Sequence, residues 1–205
     1  MDQHQKEWNK KVAANIIKNG GLIIFPTETV YGLGCDPLNI SSVNRLIDVK
    51  GNRNKPFPIL ASSIEDVKKI AIVSTAGEKI AKYFWPGPLT IVFPKKPSIS
   101  NIVTFGRDSV GVRIPRNQIA LQLMKLSNSL LIGSSANKTG IDPPQNLKEI
   151  SSDLIEMVDI VLDGEQNTQG IPSPVIDFTS EKIKILREGP IKIEKITEIL
   201  KLSDK

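Results

Sequence analysis

Two threonine hydroxyls, a carboxylate and a phenol stand in one short run, Thr27-Glu28-Thr29-Val30-Tyr31. The run follows an apolar stretch, Leu22-Ile23-Ile24-Phe25, that Pro26 closes. Hydroxyls aimed off the end of a rigid strand can hold a polar ligand. They can equally satisfy the backbone of their own turn. Gly32 and Gly34 follow and permit tight backbone turns. Three cations come next, in Lys50-Gly51-Asn52-Arg53-Asn54-Lys55-Pro56. Lysine and arginine this close suit a polyphosphate, which takes charge-assisted hydrogen bonds. A solvated surface loop is the competing reading. No glycine-rich segment ends in Gly-Lys-Ser/Thr, so this is not a Walker loop.

Arg113 lies in Ser109-Val110-Gly111-Val112-Arg113-Ile114-Pro115-Arg116, inside a strand-like apolar run. A charge there is expensive to bury without a partner. Two partners fit: Glu28 in a core ion pair, or the carboxylate of a substrate. Gly133-Ser134-Ser135-Ala136-Asn137-Lys138-Thr139-Gly140 offers hydroxyls, an amide and backbone N–H groups that can cradle an anion. Serine and asparagine are also ordinary turn residues. Further on, Ser173 precedes an apolar run and Arg187 ends one, in Ile185-Leu186-Arg187-Glu188-Gly189. A turn serine and a strand-end salt bridge are the alternatives there.

These residues must be held by regular elements. Residues 7–18 predict an amphipathic helix that stops at Asn19-Gly20-Gly21. Further helices are predicted over 41–49, capped by Ser41 or Ser42, from Ser62-Ser63 onward, and over 74–84, 117–126, 146–156 and 192–201. Strands are predicted at 22–25, 57–61, 89–93, 110–114, 130–133, 160–162, 175–178 and 183–186. The alternation implies an α/β fold, a largely buried sheet covered by helices. The closely spaced C-terminal strands predict antiparallel pairing and therefore a mixed sheet. One domain over 1–205 is expected, with a core at about 7–200 and disordered termini that include Ser203-Asp204-Lys205.

Composition narrows the chemistry. Hydrophobic residues make up 40 % of the 205 and aromatics only 5 %, so isoleucine, leucine and valine must build the core. No apolar run reaches the roughly 18–20 residues of a membrane span. The polar start, Met1 to Lys6, carries no secretory signature. Cys35 is the sole cysteine, so no intrachain disulfide forms, which fits a cytoplasmic setting. It reads as a packed small hydrophobe. The sole histidine, His4, argues against a histidine triad and against zinc. A net charge of +5 favours anionic partners such as nucleotides or RNA.

Taken in order, five motifs resemble the YrdC-like family of L-threonylcarbamoyladenylate synthases. They are Phe-Pro-Thr-Glu-Thr-Val-Tyr-Gly-Leu-Gly (25–34), Trp-Pro-Gly-Pro-Leu-Thr (85–90), Val-Gly-Val-Arg-Ile-Pro (110–115), Ser-Ser-Ala-Asn (134–137) and Ile-Leu-Arg-Glu-Gly (185–189). The similarity runs from about Ala13 to about Ile196. It implies a twisted, mainly parallel mixed sheet flanked by helices around a basic concave cavity. It also implies that threonine and bicarbonate or carbon dioxide form a carbamate, which attacks the α-phosphorus of ATP. Threonylcarbamoyl-AMP and pyrophosphate result, with Mg²⁺ accompanying the phosphates. Transferase machinery would then pass the threonylcarbamoyl group to tRNA.

On the same resemblance, Thr27, Arg113, Gly133 and Ser173 would hold threonine. Lys50 and Arg53 would bind the triphosphate and serve catalysis. Ser109, Ser135, Asn137 and Arg187 would contact ATP or the adenylate. The chain departs from the family pattern in three places. Lys50-Gly51-Asn52-Arg53 replaces Lys-x-Arg with a shorter following loop, Leu60 stands where many members have histidine, and Ser173-Pro174 replaces Ser-Thr. The chain reads as the short form, lacking the extra C-terminal domain of longer relatives. A non-catalytic module binding tRNA or double-stranded RNA in the same basic cavity is the rival reading, and related carbamoyl transfer is a second.

Overall fold

The computed structural model describes residues 3–164, 168–180 and 183–201. Its helices and strands, in chain order, are α1 (Gln3–Lys18), β1 (Ile23–Phe25), β2 (Gly32–Gly34), α2 (Ile40–Lys50), β3 (Ile59–Leu60), α3 (Ile64–Ile70), α4 (Thr75–Phe84), β4 (Thr90–Pro94), α5 (Asn101–Thr104), β5 (Ser109–Arg113), α6 (Gln118–Ser127), β6 (Leu131–Ile132), β7 (Ser134–Ser135), α7 (Ser152–Glu156), β8 (Ile160–Val161), β9 (Val175–Asp177), β10 (Lys184–Arg187) and α8 (Ile193–Lys201). The terminal disorder expected at Ser203-Asp204-Lys205 lies outside the described residues.

Three local expectations change. The cap of α2 is Asn39, whose side chain accepts from the Ser42 N–H, while the Ser42 hydroxyl donates inward to the Gly20 carbonyl at 2.8 Å. The helix predicted over 146–156 breaks into a 3-10 turn at Leu147–Glu149 and α7, because Ile150 and Ser151 are extended. Side chains close that turn: Asn146 accepts from the Lys148 N–H, and the Glu149 carboxylate accepts from the Gln145 N–H and the Asn146 amide. The short strands β2 and β7 were not legible, since glycine and serine are poor strand formers; β2 pairs along β1, and β7 in turn along β2.

The strands form two sheets, β7-β2-β1-β8 and β10-β9-β4-β5-β3-β6. The pairs β1–β8, β3–β5 and β4–β9 are parallel. The pairs β1–β2, β2–β7, β3–β6, β4–β5 and β9–β10 are antiparallel. The expected mainly parallel sheet is thus corrected to two mixed sheets with antiparallel pairs in the majority. Connections such as residues 26–31 are too short for the crossover a parallel pair needs.

The apolar run at β1 is buried on both faces, as a strand inside a covered sheet must be. Ile23 and Phe25 pack with Ala13 and Ile17 of α1 and with Ala120, Leu123 and Met124 of α6. Leu22 and Ile24 face the opposite cluster, with Val43 and Leu46 of α2. This period-two division explains why the run shows no polar alternation. A β-carbon on Gly34 would stand 1.8 Å from the Ile132 carbonyl oxygen, so only glycine lets β2 pass β6 this closely. The Trp85–Leu89 turn then fixes the end of β5. The Trp85 indole donates to the Leu89 carbonyl at 2.7 Å, and the Gly87 N–H donates to the Ile114 carbonyl at 2.9 Å.

Candidate active site

Strand ends from both sheets meet at one cleft of about 200 Å³. The β1–β2 connection supplies Thr27 and Thr29, β5 ends on Arg113, and Gly133 to Ser135 form the opposite wall. Thr90 opens β4, Ser173 lies just ahead of β9, Arg187 ends β10, and Arg53 comes from the loop after α2. Of the residues singled out in the sequence, the fold brings Thr27, Arg53, Arg113, Gly133, Ser135, Ser173 and Arg187 together at this cleft.

Arg113 is buried at 5 % exposure. Its Nη1 donates to the Thr29 hydroxyl at 3.0 Å, and its Nη2 stands 3.8 Å from the Glu28 carboxylate. That separation exceeds a hydrogen bond. Arg113 Nε and both Glu28 oxygens have no hydrogen-bond partner. The core-pair reading of Arg113 is met only as a loose ion pair, and Arg113 also lines the cleft. Thr27 is both turn and lining: its hydroxyl donates to the Val30 carbonyl at 2.6 Å, accepts from the Thr29 and Val30 N–H groups, and meets the Thr29 hydroxyl at 2.9 Å.

Arg53 is half-buried over the Phe57 ring, 4.3 Å from its centre. It donates to the Lys55 and Pro56 carbonyls at 2.8 Å each, and Nη1 is 3.5 Å from the Ser134 hydroxyl. Arg187 reaches from the exposed rim to donate to the Ser173 carbonyl at 2.8 Å and the Ser173 hydroxyl at 3.2 Å. Ser173 and Thr90 hydroxyls lie 2.8 Å apart. No Asp or Glu lines this cleft among the described residues. Burial first, then Arg187, lowers Arg53 to about 10. Desolvation first, then Arg113, holds the Arg187 guanidinium below its usual value. Mutual repulsion of this kind is relieved by an anion.

Three predicted site residues do not line the cleft. Lys50, the last residue of α2, is 2 % exposed, and its ammonium donates to the Ser135 carbonyl at 2.8 Å and to the Asn137 carbonyl. It braces the wall from behind, where it was expected to meet a triphosphate. Burial first, then Arg53, lowers it to about 7. Asn137 turns its amide to the Lys138 carbonyl at 3.1 Å and to the Ile141 carbonyl, because the turn after β7 needs those bonds. Ser109 pairs with Pro94 at the far end of β5 from Arg113. Four residues of strand separate the two by about 13 Å, so one ligand subsite cannot use both. Gly133 does line the cleft, but its N–H donates to the Pro58 carbonyl at 2.9 Å and is not free for a ligand.

Thr29, Thr90 and Lys55 also line the cleft and were not singled out as ligands. Thr29 and Thr90 were legible as the remaining hydroxyls of motifs 25–34 and 85–90. Buried Cys35 lies among core residues, and burial, then Asp36, pushes its thiol up to about 12, so it is a packing group. Among the described residues no three His, Cys, Asp or Glu side chains cluster to hold a metal. No described helix is long and apolar enough to cross a membrane.

Comparison with known proteins gives the fold a context. The Sua5/YciO/YrdC family model, described as "Telomere recombination", matches residues 15–189. A threonylcarbamoyl-AMP synthase of Pyrococcus abyssi is 36 % identical over 197 residues, 95 % of this chain and 58 % of the relative. The chain thus spans little more than half of that protein. A putative threonylcarbamoyl-AMP synthase of Methanocaldococcus jannaschii is 35 % identical over 195 residues, 93 % of this chain and 92 % of its own length. The crystal structure of P. abyssi Sua5 complexed with L-threonine superposes with a TM-score of 0.90 at 37 % identity, covering 94 % of this chain and 57 % of that one.

Proposed function

This chain belongs to the Sua5/YciO/YrdC family, and from that premise we propose that it is a threonylcarbamoyl-AMP synthase. The observation that carries the reading is a cleft in which Arg53, Arg113 and Arg187 converge with no lining carboxylate. Relatives named for this activity, and the P. abyssi structure complexed with L-threonine, support the same assignment.

The chemistry suits the donors. The threonine ammonium gives a proton to solvent, and the free amine then adds to carbon dioxide with release of a second proton, or condenses with bicarbonate with loss of water, to give an N-carboxylate. One of its oxygens attacks the α-phosphorus of ATP, the bond from that phosphorus to the bridging oxygen breaks, and pyrophosphate leaves. The reaction is a nucleotidyl transfer. Negative charge on the phosphates and pyrophosphate is stabilised by fixed cations and oriented donors. The carbamate is already anionic, so this step needs no histidine, and positioning supplies much of the rate.

In this reading Arg113 donates to the threonine carboxylate, steadied by Thr29, with Thr27 shaping the turn and Ser173 closing the pocket. Arg53, Arg187, Lys55 and the Ser134–Ser135 wall receive the nucleotide. Lys50 serves through that wall. Mg²⁺ enters with ATP as part of the nucleotide substrate. The cleft's hydroxyls and guanidinium groups are not a magnesium cage, and phosphate oxygens and water are that ion's ordinary ligands. The product is a mixed anhydride, so a transferase that hands the threonylcarbamoyl group to tRNA is the expected consumer. An ATP-dependent reaction and a reduced, buried Cys35 fit the cytoplasm.

The test is direct. The chain is incubated with ATP, Mg²⁺, bicarbonate and labelled threonine, and pyrophosphate and threonylcarbamoyl-AMP are measured. Threonine-dependent formation of both is expected. Salt-sensitive tRNA binding with no ATP turnover would replace this reading with the RNA-binding one.

A further inference from the structure

A second hollow, larger than the cleft, lies at the other end of the same strands. It measures about 940 Å³, against about 200 Å³ for the cleft. Strands β4 and β9 run parallel, with Thr90 and Ser173 at the cleft and Pro94, Phe178 and Thr179 at this cavity. Four residues of strand, about 13 Å, separate Thr90 from Pro94. No residue lines both hollows. Ile72, Pro94, Phe178, Ile183 and Leu200 give the cavity an apolar lining, and Ile72 is left 58 % exposed. Its only charged lining residues among the described ones are Lys79 and Lys201.

Lys79 lacks a partner. Its Nζ is shielded from solvent and makes no hydrogen bond. A shielded ammonium is costly when nothing pairs with it. Glu78, its neighbour in the chain, pairs with Lys68 at 3.0 Å and Lys82 at 3.3 Å instead. The start of α4 adds donors to the same wall. There the Ser74 hydroxyl accepts from the Gly77 N–H at 3.2 Å. The Thr75 and Ala76 N–H groups come before any acceptor inside the helix. Ser74, Thr75 and Ala76 all line the cavity.

Unused donors beside an apolar lining select an anion with an apolar body. We propose that this cavity binds a small apolar carboxylate. Its body lies against Phe178, Ile183 and Leu200, and its carboxylate accepts from Lys79 and the first N–H groups of α4. Lys79 turns to the ligand at little cost, because its ammonium gives up no hydrogen bond and its stem is flexible. A neutral apolar molecule would fill the space and leave the ammonium unpaired. Inorganic phosphate would leave the apolar lining wet. The inference is independent of the proposed function, whose substrates occupy the cleft.

The experiment titrates the whole chain with two matched pairs of probes, 2-naphthoate with 2-naphthalenemethanol and octanoate with octanol. Each alcohol keeps the apolar body and lacks the charge. Backbone amide shifts in NMR spectra report where each probe binds. Shifts are expected at Thr75, Ala76, Thr179 and Leu200. At least one carboxylate should bind about tenfold or more tighter than its alcohol, as a charge-assisted contact predicts. Lys79→Met keeps the stem and removes the charge. It should weaken that carboxylate at least about tenfold and the alcohol less than about threefold, while Lys79→Arg retains carboxylate binding. Retained alcohol binding also reports that the variant is folded. Equal weakening of acid and alcohol overturns the inference, as do equal affinities in the unmodified chain. Shifts confined to Thr29, Ser134 and Ser135 overturn it as well, since they mark capture by the cleft arginines. Binding of neither carboxylate overturns it outright. A dimer whose interface shields the amides at Thr75 and Thr179 also overturns it and gives this face to a second copy of the chain.

Discussion

Lys50 and Arg113 are both buried cations at one site, 2 % and 5 % exposed, and they are satisfied in opposite ways. The Lys50 ammonium donates to two backbone carbonyls of the wall, Ser135 and Asn137. Arg113 makes one hydrogen bond, to Thr29, and leaves Nε unpartnered. A cation whose donors are taken by backbone holds the scaffold together. A cation with an unpartnered donor at the wall of a cleft suits the ligand-binding role proposed for Arg113. The resemblance gave both Lys50 and Arg53 to the triphosphate, and of the two Arg53 is the one that lines the cleft.

Substitution separates the two roles. Arg113→Ala is expected to give the largest loss of function, about a hundredfold or more in threonine-dependent kcat/KM, as removal of a buried charged partner predicts. Near-normal turnover would make Arg113 a core charge that serves only Glu28. Lys50→Met should act mainly on stability. It leaves two buried carbonyls without a donor, at about 1–3 kcal/mol each. A clear fall in Tm is the expected result; lost ATP affinity at unchanged Tm would return Lys50 to the phosphate site. Lys50 also predicts a pH dependence. Folding lowers it from 10.5 to about 7, so between those values the unfolded chain binds the extra proton. The Lys50 contribution to unfolding free energy therefore rises with pH across that window. Denaturant midpoints measured from pH 7 to 10 should show this rise, and Lys50→Met should flatten it.

Most of the framework was legible. The apolar runs at 22–25, 89–93 and 110–114 are strands because burial on both sides leaves no other use for such residues. The motifs marked the right loops. They did not show which way each side chain turns. Lys50 and Arg53 sit three residues apart around a helix end, where one extra residue of turn decides which cation faces the cleft. The Thr27 hydroxyl looked like a ligand and mainly closes its own turn, while its neighbour Thr29 carries Arg113. Strand direction was hidden too, since β2 and β7 are too short and too polar to register as strands.

Thr29→Val sharpens the contrast at Arg113. It removes the hydroxyl that accepts from Arg113 Nη1 while keeping the side chain's size. A hydrogen bond to a charged group contributes about 1.5–3 kcal/mol, so the KM for threonine should rise about tenfold or more with little change in the KM for ATP. Equal increases in both would mean that the turn, not the arginine, had been disturbed.

The smallest expected effect belongs to Ser109→Ala. Ser109 shares a strand and a motif with Arg113, which is why the resemblance drew it into the site. The strand that links them also separates them, since Ser109 sits at the Pro94 end and Arg113 at the Leu60 end. Its side chain makes no hydrogen bond that would hold the cleft, and substitutions away from such features usually stay within about 0.5 kcal/mol. Turnover and ATP affinity should therefore remain within about twofold of the unmodified chain, with Tm little changed. A selective loss of ATP affinity in Ser109→Ala would require the nucleotide to extend along β5, away from Arg53 and Arg187. That result would move the proposed nucleotide site away from the cleft that the two arginines line.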